Sequence, residues 1–96
     1  MSNTTEEEDK GILEVLLERL VKQRLPHALA LEKKVDQGDV LNDYDIQFLA
    51  EVLRDIGRAK PVYDRHPDYQ PLIAKLMSLY AHIIERGAEN EGEQAS

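Results

Sequence analysis

The sequence predicts an all-α protein: a small antiparallel bundle of four helices at about 11–25, 26–37, 43–59 and 69–86, flanked by disordered acidic tails. Three observations carry this expectation. Apolar residues recur at helical spacing in three wide stripes and one narrow stripe. Pro26, Gly38 and Gly87 stand at the edges of those stripes, where helices commonly start or stop. No stretch alternates apolar and polar residues as a half-buried strand would, and the links are short enough for helices to pack as antiparallel neighbours.

The first helix, Gly11 to Leu25, gathers Ile12, Leu13, Leu16, Leu17, Leu20 and Val21 on one broad face. Glu18 and Lys22 form a favourable i,i+4 pair elsewhere on it, and Val15 projects with the polar group. Pro26 has no N–H to donate, so it ends this helix or opens the next. The second helix is the weak member. Ala28, Leu31 and Val35 make a narrow stripe, Leu29 lies outside it, and Gly38 stops the helix. Asn42 is a suitable N-cap for the third helix, with Asp43 and Asp45 near the positive end of its dipole. Ile46, Phe48, Leu49, Val52, Leu53 and Ile56 supply its apolar face. After a break at Lys60–Pro67, Asp68 caps the last helix. Its stripe is Leu72, Ile73, Leu76, Met77, Tyr80, Ile83 and Ile84, and Gly87 is expected to end it. Leu49, Val52, Leu53, Leu76, Tyr80 and Ile83 are the expected centre of the core.

The formal net charge of −7 is unevenly spread over the 96 residues. Residues 1–10 carry −3 and residues 87–96 another −3, leaving −1 for the body. The expected organisation is a disordered tail at 1–10, one helical domain at 11–87 and a disordered tail at 88–96, because the two ends offer little apolar surface to offset ordering entropy. Within the body, residues 19–34 carry +4 and residues 36–55 carry −5. Pairing between helices is one use for that segregation; a docking face for an anionic partner is another.

Several chemistries lack their parts. There is no Cys, which removes disulfides, thiolate nucleophiles and thiolate metal sites. The glycines at 11, 38, 57, 87 and 92 are too scattered for a phosphate loop, and Ser78 has no Gly-rich elbow around it. The acids Asp36, Asp39, Asp43 and Asp45 do not follow calcium-loop spacing, and no Glu precedes His27, His66 or His82 by three residues. The reading is therefore of a protein that is not an enzyme and that needs no cofactor or metal. No apolar run approaches the ~20 residues of a membrane span. The acidic start, Glu6 to Asp9, is unlike a secretory signal, so the expected compartment is the cytoplasm.

The stretch from Leu25 to Leu49 includes Leu25, Pro26, Ala28, Leu29, Lys34, Val35, Asp36, Gly38, Leu41, Asp43, Asp45, Ile46 and Phe48. It resembles a segment recurring in a family of small uncharacterised bacterial helical proteins. That resemblance implies a bacterial protein and brings no catalytic or binding residues with it.

The function expected is protein interaction: an adaptor or regulatory module that binds a protein partner or forms a homodimer. The candidate face combines the off-stripe apolar residues Val15 and Leu29 with Arg19, Lys22 and Lys33, a surface suited to an acidic amphipathic helix. Two alternatives remain. One is weak nucleic-acid binding through 19–34, which the acidic tails and the lack of interleaved aromatics oppose. The other is a small ligand-binding protein or enzyme that uses Asp64, His66 and Asp68, where a His between carboxylates would gain basicity.

Overall fold

Pro26 does not turn the chain. The computed structural model describes residues 3–95, with side chains over 7–94. In it α1 (Asn3–Glu18), a π-helical segment (Arg19–Arg24) and α2 (Leu25–Asp36) follow one another with no loop between them. In an ordinary α-turn the proline ring would press on the carbonyl four residues back, at Lys22. The wider π turns change that register, and the Leu25 N–H reaches back to the Leu20 carbonyl. The helix thus passes through Pro26 as one rod about 50 Å long. The two helices expected side by side run end to end.

The remaining elements pack along that rod. They are α3 (Asp43–Arg58), the single-turn α4 (Lys60–Tyr63), a 3₁₀ turn (Pro67–Tyr69) and α5 (Gln70–Ala95). All regular structure among the described residues is helical. Ion pairs from Lys34 to Asp45 and from Arg24 to Asp55 set α3 antiparallel to α2. Asn90, near the end of α5, binds the carbonyls of Val35 and Asp39, whereas Tyr80 lies near Arg24, so α5 runs parallel to α2. The result is an elongated all-α molecule of 61 × 20 × 18 Å, and its arrangement differs from four antiparallel helices side by side.

Local sequence explains the link into α3. Gly38 takes a φ of +98°, the left-handed conformation that suits glycine after a helix. The Asn42 side chain accepts from the Asp45 N–H at 2.9 Å, and Asp45 accepts from the Asn42 N–H at 3.1 Å, a reciprocal capping box. Lys34 donates to the same Asp45 carboxylate at 2.6 Å. Burial pushes that carboxyl up, but the Lys34 and Asn42 hydrogen bonds outweigh it and hold Asp45 below the usual range.

The core contains Leu49, Val52, Leu76, Tyr80 and Ile83 as expected, with Leu53 only partly buried against it. Ile12, Val21, Ile46, Leu72, Met77 and Ile84 were expected on core-facing stripes yet are 40–52% exposed. The cause lies in the end-to-end helices: the stripes are wide enough for a fourth neighbour, and the chain folds without one.

The acidic ends also differ from expectation. α1 already includes residues 3–10, and α5 continues through Gly87 to Ala95. Asp9 and Asn90 are buried, at 5% and 1% exposure. Both segments gain order from distant partners that composition does not reveal. The remaining parts of the expected tails, residues 1–2 and 96, lie outside the described residues.

Candidate partner-binding groove

The long first rod outreaches α2's packing against α5, and its N-terminal half lies instead against the C-terminal part of α3 and α4. A cluster of charged groups fixes that contact. Asp9 on α1 accepts from Arg65 Nε at 2.8 Å and Arg65 Nη2 at 2.9 Å, a bidentate pair. His66 Nε2 is 3.3 Å from the same carboxylate, and the Tyr69 ring stands edge-on to His66 at 6.3 Å. The Arg65 hydrogen bond holds the Asp9 carboxyl below the usual range against the opposing effect of burial, and His66 adds to the lowering.

The cluster shows where the residues of the Asp64–His66–Asp68 loop point. His66 turns inward to Asp9, while Asp64 pairs with Lys60 at 2.6 Å. Asp68 is exposed and makes no ion pair among the described residues. The loop is therefore a clasp on α1.

Beside the clasp, α1 does not close fully on α3 and α4. An open groove of about 900 Å³ runs between them. Its apolar lining includes Ile12, Val15, Leu16, Ala59 and Val62. Ile12 and Val15 are 51% and 57% exposed, so much apolar surface there faces water. Arg19 and Arg58 also line it, and neither forms an ion pair among the described residues. Asp55 lines it as well, but its charge is taken by Arg24 at 2.6 Å. Glu8 is the remaining acid in the lining.

Of the five residues expected to form a partner face, the structure brings two to this groove, Val15 and Arg19. Lys22 is exposed and pairs with Glu18 at 3.1 Å. Leu29 is exposed at 47% and Lys33 is exposed, but neither lines the groove. The basic 19–34 stretch is partly neutralised from within, since Lys22, Arg24 and Lys34 all have acidic partners. Sequence reasoning missed Ile12, which it assigned to the core, and Arg58, Ala59 and Val62, which lie some 40 residues from Val15 in sequence. No local pattern joins those positions; only the return of α3 and α4 along α1 does.

Comparison with known proteins finds no matching family model, curated protein or solved structure. Among the described residues, no helix is long and apolar enough to cross a membrane.

Proposed function

We propose that this protein is a non-enzymatic interaction module that receives an acidic amphipathic helix in the groove between α1 and α3–α4. The observation that carries the reading is the pairing of apolar and basic surface in one groove. Ile12, Val15 and Val62 offer an apolar floor, and Arg19 and Arg58 stand at it without acidic partners among the described residues. A helix laying apolar residues on that floor would remove them from water. Acidic residues flanking its apolar face would meet the two guanidinium groups, and Arg suits carboxylates through its planar, multi-donor head. We place the protein in the bacterial cytoplasm as part of the same reading.

Nucleic-acid binding is the weaker reading, because internal ion pairs already use three cations of the 19–34 stretch.

The test is fluorescence anisotropy with two labelled helical peptides that share one apolar face and carry either acidic or basic flanks. The acidic peptide should bind more tightly, with affinity falling as salt rises. The double variant Arg19→Glu/Arg58→Glu should reverse the preference. Equal binding of both peptides, or an unchanged preference in the variant, would contradict the proposal. Concentration-dependent dimerisation in sedimentation that Val15→Glu abolishes would assign the groove to a second copy instead.

A further inference from the structure

The second site lies on the other half of the rod, where α2 meets α5. Glu32 and Asp36 are four residues apart on α2, so their carboxylates share one face. His82 comes to the same place from α5. One ligand atom from each of the three lies within 4.8 Å of the others, and His82 Nε2 is 2.9 Å from Asp36 Oδ1. Donors bound to one zinc ion at about 2.0–2.2 Å stand roughly 3.4 Å apart in tetrahedral geometry. Side-chain rotations would have to draw the three atoms together to reach that spacing.

The backbone beneath the cluster is firmly held. Leu31 and Val35 adjoin Glu32 and Asp36 on α2, Ile83 follows His82 on α5, and all three are buried. The side chains above remain open to solvent: His82 and Asp36 are about half exposed. Glu32 is half-buried and has no ion pair among the described residues, although a second carboxylate stands one turn away. Two like charges at this spacing repel, and a cation between them removes the repulsion.

We infer that Glu32, Asp36 and His82 form a binding site for a divalent transition-metal ion, zinc being the best match, which ties α2 to α5. The donor set selects the class of ion. Imidazole nitrogen suits zinc and its first-row neighbours, whereas calcium and magnesium prefer all-oxygen shells. Three protein ligands leave the rest of the coordination shell to water or to a ligand from another molecule. No Glu-x-x-His motif marks this site in the sequence, because the carboxylates belong to α2 and the histidine to α5.

The experiment is a zinc titration of the full chain by calorimetry, paired with thermal unfolding in zinc and in chelator. One ion should bind per chain and raise Tm by several degrees, because an ion that binds only the folded state stabilises it. His82→Ala should abolish both effects. Glu32→Gln is the sharper variant, since it leaves the Asp36–His82 contact intact and removes only a charged metal ligand; zinc affinity should fall at least tenfold. Overturning results are no zinc-dependent rise in Tm for the natural chain, or wild-type affinity in Glu32→Gln. Either would leave Asp36–His82 as an ordinary surface ion pair.

Discussion

Asp9 shows how much one buried carboxylate can organise. Its two oxygens hold Arg65 and His66 across more than fifty residues of chain, and the contact closes α1 onto the loop before α5. Because its folded-state pKa is lowered, its contribution to stability is complete above the unfolded value of about 3.9 and is lost as pH falls through the folded value. Asp9→Asn should therefore lower Tm at pH 7, and the difference from the natural chain should shrink towards pH 3. Thermal melts across that range check this; a difference that does not change with pH would mean that the pair contributes no charge-dependent stability. Asn90 is the matching residue at the other end. Its Nδ2 donates to the Val35 carbonyl at 2.7 Å and the Asp39 carbonyl at 2.8 Å, so it serves the C-terminus of α2 from α5. Asn90→Ala should cost about 1–3 kcal/mol in denaturant unfolding, the usual penalty for orphaning buried polar groups. A loss near zero would mean that α5 is frayed there. Neither residue was legible in the sequence as a structural contact. Composition marks both ends as polar and acidic, and only long-range geometry supplies the partners that make their burial favourable.

At the scale of elements, local signals were read most accurately where the cause is local. Asn42 and Asp45 build the expected cap, and Gly38 adopts the conformation expected after α2. Pro26 lies in the first turn of α2, one of its two expected places, yet the chain does not turn there, and Gly87 does not end α5: each residue type is compatible with a helix end but does not require one. Pro26 is absorbed by the π-helical segment before it. Gly87 lies within α5, and the Leu41 side chain packs where a Cβ would be. A methyl group there would meet Leu41 Cδ1 at 2.7 Å and Cγ at 2.8 Å. Gly-to-Ala changes inside helices ordinarily stabilise by about 1 kcal/mol, and overpacking against Leu41 opposes that gain. Gly87→Ala should therefore destabilise by up to about 2 kcal/mol. In a Leu41→Ala background, which removes the obstructing atoms, the same change should become neutral or stabilising. Denaturant unfolding of the four proteins in this cycle measures the coupling. Additive effects would show that the close approach has no energetic consequence.

For the whole molecule, the central consequence is apolar surface left uncovered by an elongated fold. The sequence carries stripes wide enough for helices packed on several sides, and this part of the reading holds at Leu49, Val52, Leu76, Tyr80 and Ile83. Continuity through Pro26 then removes one neighbour from the assembly and leaves Ile12 and Val15 facing water beside Arg19 and Arg58, which form no ion pair among the described residues. Half of the candidate face was legible because Val15 and Arg19 share one helix. The other half was not, since α3 and α4 supply it. The most direct test maps amide chemical shifts while the acidic amphipathic peptide is titrated into the full chain. The largest changes should fall at Ile12, Val15, Arg19, Arg58, Ala59 and Val62, with little change around Leu29 and Lys33. Shifts centred on Leu29 and Lys33, or no shifts at millimolar peptide, would contradict the assignment of the groove.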